Sequence, residues 1–367
     1  MMKRLKKLTA LLTAIGMVAA MSACGSDAAS AGTEAAPAAT EAAAPAEAGS
    51  AAEAGSAAET ETAAAETETA AADGDTYLIG ICQLVQHEAL DAATQGFKDA
   101  LTEKLGDKVK FDEQNASGDS ANCSTIVNGF LSENVDLILA NATAPLQAAA
   151  AATSEIPVLG TSVTDYATAL EISDWTGTVG NNVSGTSDLA PLDQQAAMIK
   201  ELFPDAKKVG LLYCSAEPNS VYQCDTIEGY LKDEGYEVER YAFTDTNDVT
   251  SVTQTACDNS DVIYIPTDNT AASNTEAIAN VVLPAGVPVV AGEEGICKGC
   301  GVATLSISYY DLGYTTGEMA YKILVEGQDV TTTPVETAKT VTKKYNAANC
   351  ETLNITVPDD YEAISEE

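Results

Sequence analysis

One pattern occurs twice in this chain. Short, nearly uninterrupted apolar runs alternate with segments whose apolar residues recur every three or four positions. The run Tyr77-Leu-Ile-Gly-Ile-Cys82 precedes a stretch from Glu88 to Leu105 with Leu90, Ala93, Phe97, Ala100 and Leu101 at helical spacing. Val109–Phe111 follows as a strand. A helix from about Ser120 then places Ile126, Val127, Phe130 and Leu131 on one face. Val135–Ala140, a helix over Pro145–Thr153 and Ile156–Leu159 complete the series. It restarts with Val209–Tyr213, a helix from Ser220 to about Glu234, a strand over Tyr236–Phe243 and a helix near Val249–Cys257. Asp261-Val-Ile-Tyr-Ile echoes Asp136-Leu-Ile-Leu-Ala, and Gly286-Val-Pro-Val-Val-Ala291 echoes Glu155-Ile-Pro-Val-Leu159. Strands apolar on both sides need cover on both faces, which predicts an α/β fold with parallel sheets between helices.

Two such halves predict two lobes. Asn182–Pro191 reads as the segment that crosses between them. The expected first lobe is 76–188, with the helix Asp311–Val325 (about 308–327) returning to it. The expected second lobe is 189–305 plus about 328–357.

Upstream, residues 1–23 begin with Lys3, Arg4, Lys6 and Lys7, continue through an apolar stretch from Leu8 to Ala20, and end in Met21-Ser-Ala before Cys24. A basic start, a short apolar middle and a small-residue cut site form a secretion signal. Residues 25–75 hold eleven acids, no Lys or Arg, and no aromatic or large aliphatic residue. Such a run cannot offset its ordering entropy by burial and is expected to act as an unfolded linker spanning about 40 Å. The chain carries 55 acidic against 18 basic residues, a net charge of −37. That balance repels nucleic acid, which is not expected as a partner.

Catalytic and metal chemistry find little support. His87 is the one histidine. No nucleophile elbow, phosphate-binding glycine loop or dinucleotide fingerprint is present. We expect no catalytic residues, no metal site and no cofactor.

In parallel sheets a ligand sits beyond the carboxyl ends of the strands. Those ends carry Gln86 and His87, Asn141, Ala142 and Thr143, Thr161 to Asp165, Asn219 and Ser220, Thr267, Asp268 and Asn269, and Glu293. Two facing sheets would pool them in one cleft. Asp268 and Asn269 are equally good helix caps, and Trp175 reads as a packing residue.

Seven stretches carry a resemblance: Gln83-Leu-Val-Gln-His-Glu-Ala-Leu-Asp91, Asn141-Ala-Thr-Ala-Pro145, Thr161-Ser-Val-Thr-Asp165, Gly185-Thr-Ser-Asp-Leu189, Glu217-Pro-Asn-Ser-Val221, Pro266-Thr-Asp-Asn-Thr270 and Tyr309-Tyr-Asp-Leu-Gly313. In this order they resemble the substrate-binding proteins of bacterial ABC importers with a type I periplasmic-binding fold, in the branch associated with tryptophan and tyrosine uptake. The resemblance implies two Rossmann-like lobes joined by a hinge, closing over a small molecule that passes to a permease and ATPase. It implies the cleft-lining loops named above and a signal in which Cys24 is acylated and anchors the chain to the membrane. It implies a free amino acid as ligand, whose carboxylate needs hydroxyls and helix-start N–H groups, for which Thr143, Thr161, Asn219 and Ser220 are suited. The ligand's ammonium needs carboxylates, for which Asp165, Asp268 and Glu293 are candidates. Gln86 and His87 could flank a flat side chain. A monomer is expected. A surface sensor of the same fold, or an importer component for a nucleoside or sugar, remains an alternative. The chain departs from the family in Gly292-Glu-Glu-Gly-Ile-Cys-Lys-Gly-Cys300, which has two cysteines where small or apolar residues are expected.

Eight cysteines follow Cys24. An even number in an exported chain suggests disulfides. Cys214–Cys224 and Cys82–Cys123 are plausible pairs, and Cys297 and Cys300 could pair locally, bind metal or exchange thiols.

Overall fold

The computed structural model describes residues 76–365. The signal at 1–23, Cys24 and the acidic run to residue 75 lie outside the described residues. In chain order, the first half runs β1 (Tyr77–Gln83), α1 (Glu88–Leu105), β2 (Val109–Asn115), α2 (Ser120–Glu133), β3 (Leu137–Asn141), α3 (Thr143–Ala152), β4 (Val158–Val163), α4 (Tyr166–Ala169) and β5 (Val183–Ser187). The second runs α5 (Leu192–Leu202), β6 (Lys208–Cys214), α6 (Pro218–Asp233), β7 (Glu237–Phe243), α7 (Val249–Asn259), β8 (Val262–Ile265), α8 (Asn269–Ala272), α9 (Thr275–Ala285), β9 (Val289–Ala291), α10 (Glu294–Cys300) and β10 (Ala303–Ser306). A tail adds α11 (Tyr309–Leu324), β11 (Glu336–Thr337), β12 (Thr342–Tyr345), α12 (Ala347–Leu353) and β13 (Glu362–Ala363).

Two sheets result. The first has the order β11-β5-β4-β3-β1-β2 and is parallel throughout. The second has the order β13-β12-β10-β9-β8-β6-β7, antiparallel only between β10 and β12. The doubled sequence pattern has a doubled anchor. Asp136 Oδ2 accepts from the Leu78 N–H at 2.7 Å, and Asp261 Oδ2 accepts from the Lys208 N–H at 2.9 Å. Each carboxylate thus ties the strand after it to the start of its lobe's first strand.

The strands are apolar on both sides because both sides are covered. Ile79 and Ile81 of β1 pack with Phe97, Leu101 and Met319 on one face, while Cys82 packs with Val127, Phe130 and Leu146 on the other. The first face is closed by α11 lying on α1. A Cβ built on Gly96 would stand 2.1 Å from the Tyr310 carbonyl oxygen, and one on Gly313 would stand 1.9 Å from that of Ala93. The two backbones touch there, and only glycine leaves the room.

Two boundaries differ from expectation. Half of 182–191, Val183–Ser187, is a buried strand. Its small polar residues lack an apolar signature but are satisfied by distant partners: the Ser184 hydroxyl donates to the Thr333 carbonyl at 2.9 Å, and Thr186 and Thr316 hydroxyls pair at 2.8 Å. Only residues 188–191 cross. The segment 328–357, assigned whole to the second lobe, is divided. Glu336 and Thr337 extend the first sheet beside Thr186 and Ser187, and β12 joins the second. A strand of two residues is too short to show a period. The chain therefore passes between the sheets three times, at 188–191, 307–308 and 338–341.

All eight cysteines of the described residues are buried free thiols, so neither expected disulfide is present among them. Cys82 and Cys123 are hydrogen-bonded side chains, which pushes the Cys82 thiol far above its ordinary pKa. Cys297 and Cys300 lie on α10 facing the core, and no cluster of three or more His, Cys, Asp or Glu suited to a metal occurs among the described residues.

Candidate functional site

The carboxyl ends of both sheets meet in one small cavity. It is lined from the first sheet's side by His87, Leu90 and Ser162, from the second's by Asn219, Thr267, Asp268, Asn269, Ala272 and Glu293, and at the crossings by Asp188 and Tyr309. Each polar residue arrives by a local rule. His87 is the N-cap of α1 and makes no side-chain cap bond, which leaves its ring free for other contacts. Ser162 has φ +55° at a register shift between β4 and β5, so a bulge turns its side chain out of the sheet. Asp268 caps α8 through the Ala271 N–H, and Glu293 caps α10 through the Gly295 and Ile296 N–H groups.

The lobes touch across the cavity. His87 Nε2 lies 3.2 Å from Asn269 Oδ1, Gln223 Nε2 donates to the Thr164 hydroxyl at 3.3 Å, and Lys298 pairs with Glu88 at 3.0 Å. The space left is about 10 Å³, enough for roughly one water. A larger molecule enters only if the lobes part.

Three buried carboxylates dominate the electrostatics. Burial pushes Asp268 up to about 8, with the Glu217 charge adding to it and the Cys214 and Ala271 N–H groups opposing. Burial likewise raises Glu293 to about 7 against two backbone donors. Asp188 is raised by burial too, opposed by the Tyr309 hydroxyl, which donates to Oδ2 at 2.9 Å. Its other oxygen differs from those of Asp268 and Glu293. Asp188 Oδ1 makes no hydrogen bond of ordinary geometry, although the nearby Thr164 side chain favours its ionised form. Ser162 Oγ and His87 Nδ1 are also buried without partners. Buried polar atoms are otherwise nearly always paired.

A family model described as ABC transporter substrate binding protein matches residues 78–367. The chain belongs to that family. It is 38% identical over 262 residues to a tyrosine-binding protein of Clostridioides difficile (strain R20291), covering 71% of this chain and 75% of the relative. Among solved structures, an ABC domain in complex with L-Trp from Streptococcus pneumoniae matches with a TM-score of 0.76 at 31% identity. A ligand-free, open substrate-binding protein with adhesive properties from Clostridium difficile matches with a TM-score of 0.61 at 35% identity. Both cover 79% of this chain and the whole of the solved one.

In this substrate-binding protein, six of the expected site residues line the cavity together: His87, Asn219, Thr267, Asp268, Asn269 and Glu293. Others stand one layer back. Asn141 Nδ2 donates to the Leu90 carbonyl at 2.8 Å and the Thr94 hydroxyl at 2.9 Å, pinning α1 to β3. Ala142 is buried with φ +108° before α3, Thr143 is buried in that helix's first turn, and Thr161 pairs with the Thr186 hydroxyl at 3.2 Å. Ser220 is buried beside Asn219 and hydrogen-bonds Asp268. Two lie outside. Gln86 is exposed, and Asp165 spends its carboxylate capping α4 through the Thr168 N–H at 2.7 Å. Both leave the cavity because an extended residue alternates sides, and the next inward positions are His87 and Ser162 or Thr164. Ser162 lies within the expected loop 161–165, whereas Leu90, Asp188, Ala272 and Tyr309 were missed as lining residues. The stretch Gly185–Leu189 was the available signal for Asp188.

Proposed function

We propose that this substrate-binding protein captures a free aromatic amino acid, tyrosine or tryptophan, between its lobes and delivers it to the permease and ATPase of an ABC importer. The observation that carries the reading is Asp188: a buried carboxylate with one oxygen unpaired beside the cavity calls for a cation, and the ligand ammonium supplies it. Ser162 Oγ and the Asn219 backbone N–H, in the first turn of α6, suit the carboxylate. Leu90 and Ala272 offer apolar walls for a ring. The names of the tyrosine-binding relative and of the L-Trp complex support the same ligand class. Asp268 and Glu293 contribute field and helix capping, since their oxygens already accept backbone donors.

Ligand exchange then requires the lobes to part about the three crossings at 188–191, 307–308 and 338–341, and a ligand touching both lobes biases the closed arrangement. No helix of the described residues is long and apolar enough to cross a membrane; an acylated Cys24 with the acidic run behind it would hold the lobes at the outer face, as a monomer binding without turnover. Calorimetry with the twenty amino acids and a set of nucleosides tests the ligand, and solution scattering tests closure. Heat from tyrosine or tryptophan with a smaller radius of gyration is expected. Silence for the aromatic amino acids with heat from another compound rejects the reading.

A further inference from the structure

The protonation of His87 is set from the opposite lobe. The Glu217 carboxylate accepts from the Asn269 N–H at 3.0 Å, Asn269 Nδ2 at 2.7 Å, the Thr270 N–H and hydroxyl at 2.8 Å each, and Asn219 Nδ2 at 3.2 Å. A carboxylate that only accepts holds the Asn269 amide in one orientation, Nδ2 toward Glu217 and Oδ1 toward the imidazole. Oδ1 cannot donate. The ring proton of His87 therefore sits on Nε2, 3.2 Å away. Nδ1 is left with a lone pair, buried and unpartnered. Burial also lowers the His87 pKa, against the Asn269 hydrogen bond and the charges of Glu217, Asp91 and Glu88, which keeps the ring neutral.

The surroundings tell what should meet that lone pair. Leu90 follows His87 by three residues on α1, and Ala272 follows Asn269 by three on α8, so each stands on the same helix face as its polar neighbour. All four line the cavity. The ring thus shares the cavity with its two aliphatic lining residues, while the acceptor suited to an ammonium is Asp188, the lining carboxylate with an oxygen unpaired. A neutral acceptor beside apolar walls matches a neutral donor on a ring.

We propose that His87 Nδ1 sets the specificity of the cavity by accepting a hydrogen bond from a donor on the ligand's aromatic ring, a phenolic O–H or an indole N–H. Phenylalanine has no such donor and leaves the acceptor buried and unmet. This rests on the amino-acid reading above.

His87 is the only histidine of the chain, so ¹⁵N spectra of the full protein contain one pair of imidazole nitrogens. With the lobes closed on a ligand, so that His87 meets Asn269, Nε2 is expected to be pyrrole-like and Nδ1 the acceptor. Saturation with tyrosine or tryptophan should shift Nδ1 in the direction of a hydrogen-bonded acceptor, and phenylalanine should not. Calorimetry should show phenylalanine about 10- to 100-fold weaker than tyrosine. His87→Phe should erase that difference by weakening tyrosine. A proton on Nδ1 in the closed, tyrosine-bound protein overturns the inference, whether or not the variant folds. So does equal binding of tyrosine and phenylalanine with a static Nδ1 resonance, and in that case the amino-acid reading stands. Binding of none of the three aromatic amino acids sinks both.

Discussion

The Tyr309 hydroxyl donates to Asp188 Oδ2 at 2.9 Å, joining two of the three segments that cross between the sheets. Asp188 begins the first crossing, directly after β5, and Tyr309 begins α11 just after the second. The bond therefore fixes the carboxylate at the junction of the lobes, with Oδ1 turned away from the tyrosine. Asp188→Asn keeps the shape and the acceptor for Tyr309 but loses the charge. Tyrosine or tryptophan affinity should fall about 10- to 100-fold, the worth of a hydrogen bond to a charged group. The melting temperature without ligand should not fall, because a desolvated carboxylate is removed. Calorimetry and thermal melts check both. Asp165→Asn, at a carboxylate outside the cavity, should leave affinity unchanged.

The glycine seam gives a stability test with opposite signs. Gly96→Ala would drive a methyl into the Tyr310 carbonyl, and the helices would have to separate at a cost of about 1–3 kcal/mol or more. Gly129, inside α2, has open space around its would-be Cβ, and Gly129→Ala should stabilise by about 0.5–1 kcal/mol through helix propensity. Urea titrations of the two variants should move the midpoint in opposite directions. A harmless Gly96→Ala would mean the two backbones do not touch.

Stability should fall as pH rises from about 4 to 8. Asp268 and Glu293 have native values of about 8 and about 7, raised by burial from the ordinary 3.8 and 4.5. Across that window the unfolded chain binds fewer protons than the native one, so the slope of stability against pH is negative. Below about 4 both states are protonated and the effect is fully present. His87, whose native pKa is lowered, works the other way between its native value and 6.5, but it is one group against three, since burial raises Asp188 as well. Denaturation midpoints at pH 5, 6, 7 and 8 would show it, and Glu293→Gln should flatten the part between 4.5 and 7. A midpoint that climbs with pH would contradict it.

The eight thiols from Cys82 to Cys350 are buried, and none is expected to react quickly with a thiol reagent while the chain is folded. A native protein should show at most Cys24 reacting, and guanidinium should release the rest. Fast labelling of Cys297 or Cys300 would show α10 opening on its own. Fewer than eight thiols released in reductant-free buffer would reveal a crosslink.

The strands were legible because both of their sides are apolar. That signature placed β1, β3, β6, β8 and β9, and with them the loops holding His87, Asp268, Asn269 and Glu293. It failed at β5, where Ser184, Gly185 and Thr186 are buried and polar and find their partners about 130 to 150 residues away. Asp188 went unread with that strand. Leu90 and Ala272 sit one helical turn inside their elements, where an apolar residue reads as core. Whether it faces a core or a cavity depends on the other lobe.

Because α11 lies backbone to backbone on α1, the first lobe lacks a wall until residues 309–324 exist. A ribosome supplies those residues only after it has made every strand from β6 to β10. The lobe begun first thus waits for most of the second before its own core can close. Any truncation between the two, or any pause in synthesis there, leaves Ile79, Phe97 and Leu101 facing solvent.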